Sequence, residues 1–224
     1  MENLLAATTN GLQGTLFGAG PARLTPLGSE TSTALDEDCQ IDHLPGWLHG
    51  ADDLFIELIE LLPWRSHDRW IGSRAVTEPR LSTTIELPSA AMCAMSSALT
   101  SYYGRGFTAA WANLYRDGSD SVAWHGDRNR PGSLHEDVAL VSVGGSRTLR
   151  VRPRGGGASW AWTMGAGDLL VMRGPTQQRF EHCVPKASVA GPRISIAFRC
   201  PQGREFDQTV RYGPKGLRRF DYRR

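Results

Sequence analysis

The sequence predicts a mainly β (α+β) domain, an antiparallel sandwich or jelly roll, with its helices confined to the N-terminal part. Three observations predict it. From residue 105 onward, short strand-like runs recur between glycine turns. Two earlier stretches carry broad apolar faces of helical type. No internal repeat or low-complexity tract points to another architecture.

Residues 1–40 are rich in Gly, Ser, Thr, Ala and Pro and show no sustained period, so a flexible arm is expected there. "PGWLHGADDLFIELIELLPW" (45–64) reads as a helix, with Leu54, Ile56, Leu58, Ile59, Leu61 and Leu62 on a broad apolar face and Pro63 ending it. "PSAAMCAMSSALTSYYG" (88–104) reads as a second helix, with Pro88 in its first turn and Gly104 as the residue that closes it. "FTAAWANLY" alternates and is a strand. "DVALVSVGGSRTLRVRPRGGG" is two strands about a Gly-Gly bend, and "SWAWTMGAGDLLVMRG" two more about Gly165 and Gly167. "RFEHCVPK" and "GPRISIAFRC" complete the set.

A chain of 224 residues with 40% hydrophobic and 21% charged residues fits one soluble domain with a tail or two. No run approaches the roughly 18 apolar residues of a membrane span, and the N-terminus lacks the basic and apolar regions of a secretory signal. A cytoplasmic monomer is expected. Cys39, Cys93, Cys183 and Cys200 are scattered, with no CxxC pair, and are expected to be free thiols. Charge is uneven. Residues 1–60 hold ten acids and one base, so the remainder carries a net +11. A basic body suits a polyanion such as nucleic acid, or serves solubility alone. The last 22 residues hold seven bases and three acids, a tail that suits a nucleic-acid contact or a solvated end.

The chemistry concentrates in "NLYRDGSDSVAWHGDRN" (113–129). His125 and Asp127 are two apart, so on a strand both side chains reach one ion. A third ligand from a distant strand completes a chelate, and His182, in a strand-like run, is placed to supply it. Two histidines and a carboxylate leave the open coordination sites that Fe(II) oxygenases use. The same residues also suit a plain turn in which Asp127 caps backbone. In "PRISIAFR", Arg193 and Arg199 share a strand face with Ser195 and Ala197, while Ile194, Ile196 and Phe198 face a core. Inward guanidiniums need carboxylates. Either protein side chains or a dicarboxylic acid would answer both.

Taken together, "NLYRDGSDSVAWHGD", His182 and "PRISIAFR", with "ELLPW", "EPRL", "VSVGGSRTL" and "GDLLVMRGPTQQRFEHCVPK" around them, resemble the AlkB family of Fe(II)- and 2-oxoglutarate-dependent dioxygenases, in particular the branch of eukaryotic DNA- and RNA-repair homologues. The resemblance runs from about residue 40 to 201. It implies a double-stranded β-helix with N-terminal helices packed on one sheet. The implied boundaries are an arm over 1–40, a dioxygenase domain over 41–201 (buttress and recognition lid 41–104, jelly-roll core 105–201) and a basic tail over 202–224. It implies Fe(II) on His125, Asp127 and His182, and 2-oxoglutarate held by Asn113, Tyr115, Arg193, Ser195 and Arg199, with Arg193 on the distal carboxylate and Arg199 nearer the iron. It implies O₂ as co-substrate and oxidative demethylation of 1-methyladenine- or 3-methylcytosine-type lesions in DNA or RNA, with release of formaldehyde, succinate and CO₂. A base on which such chemistry is done must be flipped out or unpaired. Candidate contacts to it are His125, Asn129, Trp64, Trp70, Arg80 and Arg147; Trp64 and Trp70 suit a core equally well. Arg74, Arg150, Arg152, Arg154 and Lys186 are further candidates for a phosphate-binding rim.

Three departures from the family pattern stand out. Arg128, Asn129 and Arg130 follow the H-x-D where relatives often carry acids. Ser195 replaces an asparagine, and "STTIELP" lacks the aromatic-Gly pair that follows "EPRL" elsewhere. The last change motivates a second reading, a 2-oxoglutarate oxygenase of modified tRNA or of a protein side chain. A third reading is a nucleic-acid-binding relative without turnover, against which the intact triad and arginines count.

Overall fold

Most consecutive strands in the C-terminal half lie in different sheets. The computed structural model describes residues 19–71, 74–85, 89–126 and 137–200, and of residues 69–71, 74–76, 109 and 110 only the backbone. In chain order the elements are β1 (Arg23–Leu24), β2 (Thr31–Ala34), β3 (Gln40–Leu44), β4 (Leu48–His49), α1 (Ala51–Leu61), β5 (Arg65–Ile71), β6 (Arg74–Thr84), α2 (Ala90–Tyr103), β7 (Thr108–Tyr115), β8 (Val122–His125), β9 (Val138–Gly144), β10 (Arg147–Pro153), β11 (Trp160–Met164), β12 (Leu169–Arg173), α3 (Thr176–Arg179), β13 (Phe180–Val184) and β14 (Arg193–Arg199). A major sheet runs β2-β3-β12-β9-β14-β7-β6-β5 and a minor sheet β11-β10-β13-β8. From β7 to β14 the chain passes back and forth between them, the interleaving of a double-stranded β-helix. The two runs that read as strand–bend–strand are crossovers of this kind. At Gly144-Gly145, and again at Gly165 to Gly167, the chain changes sheet.

Alternation divides the major sheet into two faces. Ile194, Ile196 and Phe198 pack with Val141, Val143, Ala112 and Leu114 against the helices. Leu140, Ala197, Tyr115 and Leu170 face the minor sheet, where Leu149, Met164, Val122 and Val184 meet them. In α1 the buried residues Ala51, Leu54, Phe55, Leu58 and Ile59 make one stripe. In α2 the buried stripe is Met92, Met95 and Leu99.

The first helix is shorter than the pattern over 45–64 suggests. Gly50 is left-handed (φ 75°) and ends the preceding turn, so Trp47, although fully buried, belongs to the lead-in and not to the helix. Leu62, ahead of Pro63, is extended (ψ 138°), as a residue before proline must be. The second helix begins at the Ser89 cap, whose Oγ accepts from Met92 N, and closes on Gly104 at φ 65°. Pro88 lies outside the described residues.

The arm expected over 1–40 needs correction. Residues 31–34 pair with β3 at the edge of the major sheet, and Arg23–Leu24 pairs with β4. Their polar, weakly patterned sequence is that of an exposed edge strand, which shows little periodicity because one face and one edge meet water. Residues 1–18 and the tail over 202–224 lie outside the described residues.

The crossover glycines are tightly held. Gly144 has φ 85°, and a Cβ there would stand 2.6 Å from Pro192 O and 2.8 Å from the Phe55 ring. Gly46 is also left-handed (φ 64°) but has nothing within 4 Å of a Cβ. Backbone strain of about 1–2 kcal/mol applies to both, and overpacking of about 1–3 kcal/mol only to Gly144. Gly144→Ala is therefore expected to lower the urea midpoint two- to threefold more than Gly46→Ala, read from paired denaturation curves.

Candidate active site

Two rows of residues cross the inner face of the major sheet. In one row Ser82, Asn113, Ser195 and Ser142 lie directly opposite one another on β6, β7, β14 and β9. In the next, Tyr115 stands opposite Arg193. The even spacing of Asn113 with Tyr115, and of Arg193 with Ser195, puts all four on this face.

Arg193 is 1% exposed. Its Nε donates to Ser142 Oγ at 2.7 Å, and its guanidinium lies 5.5 Å from the Tyr115 ring centroid. No carboxylate among the described residues forms an ion pair with it. Burial lowers its pKa to about 10, and the nearby Arg147 pushes it the same way; Tyr115 and Asp168 oppose the shift. Two further guanidiniums adjoin the phenol. Arg80 Nη1 donates to Tyr115 Oη at 3.2 Å, and the Arg147 guanidinium is 5.3 Å from the ring. Burial works to lower the Arg80 pKa, but Tyr115 and Glu78 outweigh it and the pKa rises. Glu78 is the carboxylate paired within this cluster. Of these three cations only Arg80 has a carboxylate in ion-pair contact among the described residues, while Asp168 and Asp120 act on Arg193 and Arg147 from farther off. A dicarboxylate would fit beside Arg193.

The minor sheet brings two histidines together. His182 on β13 lies opposite His125 on β8, with ring centroids 4.3 Å apart. His125 Nδ1 is 2.8 Å from Ala123 O; a carbonyl only accepts, so Nδ1 carries the proton and Nε2 presents its lone pair. This is the tautomer a metal ligand needs. Asp127 lies outside the described residues, and among those described no cluster of three His, Cys, Asp or Glu side chains forms. Cys183 opposes Arg150 on the outer face of β10, and burial pushes its thiol pKa up. It is no partner to His182, as alternation requires. None of the four cysteines is in a disulfide. The two imidazoles fit an iron that takes its carboxylate from Asp127, and the Arg193 cluster fits 2-oxoglutarate beside it.

The other sequence candidates divide. Ser195 is buried in the polar row. Asn113 Oδ1 accepts from Trp111 Nε1 at 3.1 Å. Arg199, at the far end of β14, opposes Val138, the residue that opens β9 after the segment following His125. Arg80, expected to meet substrate, instead braces Tyr115. Arg147, also expected to meet substrate, is 3% exposed and donates to the carbonyls of Asp117 (2.9 Å), Asp120 (2.7 Å) and Pro185 (2.7 Å). Three carbonyls converging in the interior hold that guanidinium away from the rim. Trp64 packs on the helix side of the major sheet and donates from Nε1 to Leu58 O at 3.2 Å, so it does not reach the inner face. That carbonyl, in the last turn of α1, also accepts from Leu62 N at 3.1 Å, so the indole shares it. The Trp70 and Arg74 side chains and Asn129 lie outside the described residues.

Sequence reasoning missed Ser142. The signal was present: it is the single polar side chain in the apolar strand "VALVSV". The clustering of Arg80 and Arg147 about one phenol had no sequence signal, because residues 80, 115 and 147 meet only through sheet pairing and a crossover. In the turn between β7 and β8, Asp117 accepts from Ser119 N and Oγ, and Asp120 takes a bidentate pair from Arg116. These two aspartates are structural.

The Arg147 clamp is expected to be a matter of stability. Arg147→Met leaves three carbonyls without their donor and should cost about 3 kcal/mol. Arg150→Met, on an exposed side chain, should stay within about 0.5 kcal/mol. Urea denaturation of the two variants checks the contrast.

The comparisons with known proteins agree with this geometry. A family model described as the 2OG-Fe(II) oxygenase superfamily matches residues 50–199. The bovine protein named alpha-ketoglutarate-dependent dioxygenase alkB homolog 3 is 27% identical over 182 residues, covering 69% of this chain and 64% of its own. The Arabidopsis thaliana DNA oxidative demethylase ALKBH2 is 31% identical over 120 residues, covering 43% of this chain and 38% of its own. Thus the chain spans just under two thirds of the length of the first of these relatives. Among solved structures, a 2OG-Fe(II) oxygenase family oxidoreductase from Burkholderia pseudomallei matches with TM-score 0.49 at 13% identity, over 71% of this chain and 84% of its own, too loose to add to the assignment. With a family model matched over most of the barrel, and AlkB homologues as its curated relatives, the chain belongs to the 2OG-Fe(II) oxygenase superfamily, in its AlkB branch.

Proposed function

We propose that the protein is an Fe(II)- and 2-oxoglutarate-dependent demethylase of N-alkylated bases in nucleic acid, of the 1-methyladenine and 3-methylcytosine type. One observation carries the co-substrate. Arg193 is a buried cation with no carboxylate partner among the described residues, on the inner face that also carries Tyr115, Asn113 and Ser195. The nucleic-acid substrate is supported by similarity to the DNA oxidative demethylase ALKBH2 and by the +11 charge beyond residue 60.

His125, Asp127 and His182 would hold the iron, which when bound supplies activation of O₂ coupled to decarboxylation of 2-oxoglutarate. The chain's own part is positional. Arg193, oriented by Ser142, would bind the distal carboxylate, and Arg80 would keep Tyr115 Oη turned toward it. Arg199 would stand at the keto-acid end. Leu140, Leu170, Met172 and Ala197 line the space between the sheets and exclude water. Hydroxylation of the N-methyl carbon consumes one oxygen atom of O₂, the other entering succinate. The carbinolamine then releases formaldehyde, its hydroxyl proton passes to solvent, and the ring nitrogen recovers its lone pair.

Two measurements test this. Anaerobic addition of Fe(II) and 2-oxoglutarate should give a weak visible charge-transfer band, absent in His182→Ala; no band in the wild type would sink the oxygenase reading. Wild type incubated with 1-methyladenine and 3-methylcytosine in single-stranded DNA, double-stranded DNA and RNA should release formaldehyde and restore the base. A band without product on any of them would leave an oxygenase of another substrate. A further prediction separates binding from folding. Arg193→Met should weaken 2-oxoglutarate about 100-fold, equivalent to about 2.7 kcal/mol, by titration of the band. Its urea midpoint in the absence of ligand should not fall, because removing an uncompensated buried cation relieves desolvation.

A further inference from the structure

The sheet that carries the histidines has an outer face, and alternation builds a second site there. On β8, His125 faces the interior and Trp124 the exterior; on β13, His182 faces in and Cys183 out. Trp124 and Cys183 join Thr148, Arg150, Pro185 and Lys186 around a depression of about 510 Å³, a volume that suits a nucleotide-sized group. The depression spans β10, β13 and β8, and β8 is the edge strand of the minor sheet, so the depression and the histidines lie on the two sides of one sheet next to its edge.

Its chemistry is specific in two respects. Trp124 is fixed: the Arg152 guanidinium lies 4.1 Å from its ring centroid, and Arg152 Nε donates to Glu181 at 2.6 Å. The cation that braces the indole is thus already neutralised. By contrast, Arg150 is exposed, and neither it nor Lys186 makes a hydrogen bond or ion pair with any described residue. A rigid aromatic surface beside two unspent cations matches single-stranded nucleic acid, in which every base has a face to stack and every linkage a charge to neutralise. Solubility would be served by the charges but gives no reason for a braced tryptophan among them.

We propose that this depression is an exosite for the strand that carries the target base: a neighbouring base stacks on Trp124, and Arg150 and Lys186 hold the flanking phosphates, so that the strand passes round the edge of β8. The proposal rests on the nucleic-acid reading of the inner site. The test uses the full chain with 2-oxoglutarate under anaerobic conditions and a labelled 15-nucleotide single strand bearing one central 3-methylcytosine, followed by fluorescence anisotropy across a salt series. Arg150→Glu/Lys186→Glu should bind it at least about tenfold more weakly, with the log–log salt slope reduced by about 1.4, the value for two phosphate contacts on a single strand. Trp124→Leu should lose about tenfold and Trp124→Phe little. The double charge variant should keep the iron–2-oxoglutarate band and its turnover of a methylated trinucleotide, which is too short to reach the exosite. Wild-type affinity and slope in the double variant, with demethylation intact, would overturn the exosite and leave the proposed activity standing. A wild type that binds no oligonucleotide, or that binds an acidic peptide in its place, would overturn both.

Discussion

Arg193 lies between two sheets at 1% exposure, its guanidinium donating to the Ser142 hydroxyl. A charge there is tolerable only if something negative arrives, and much of the inner face is arranged around that deficit. Tyr115 gives its ring to Arg193 and Arg147 and its hydroxyl to Arg80. Arg147 in turn ties down the turn after β7 and the segment after β13, through carbonyls of Asp117, Asp120 and Pro185. The arginine cluster and the loops that frame it are therefore joined by hydrogen bonds and, through the Tyr115 ring, by cation–π contacts. In most proteins a buried cation is matched by a buried carboxylate. In the proposed function the match is left to a diffusible dicarboxylate, which would make binding strong and the empty state less stable, a trade that suits a co-substrate consumed on each turnover.

The second organising constraint is the period of a strand. Each of β7, β9, β12 and β14 turns one set of side chains to the helices and the other to the barrel interior. The strands of the minor sheet turn one set to the interior and the other to water. Consequently neighbouring residues in sequence do different work. His125 and His182 face inward with their rings 4.3 Å apart, while Trp124 and Cys183 line a depression on the opposite surface. The same rule assigns Ile194, Ile196 and Phe198 to the helix-packed core, between residues of the site. Core and site thus interleave along single strands, so a slip of one residue would exchange them.

Much of the site was legible in the sequence because it is written in short, even spacings. Asn113 with Tyr115 and Arg193 with Ser195 needed only strand alternation to be placed on one face, and the sheet pairings put them side by side. Helix ends were legible where capping residues stood, as at Ser89 and Gly104. Less legible were residues whose role depends on what lies across the barrel. Arg147 and Arg80 look like surface arginines in sequence, yet one is a buried clamp and the other a brace. Trp64 looks like a stacking surface and is a cap on the end of α1. Strands β1 and β2 were read as an arm, because exposed edge strands lack the alternation that marks a buried one.

The sequence by itself determined the fold class, the two helices, the alternating strands and the histidine and arginine positions, because local propensity and a two-residue period suffice for each. Only the tertiary structure decided which guanidiniums gather about Tyr115, and that a braced tryptophan sits behind the face that carries His125 and His182. Those outcomes come from crossovers that join residues tens of positions apart, and a period of two carries no information about which strand will lie alongside.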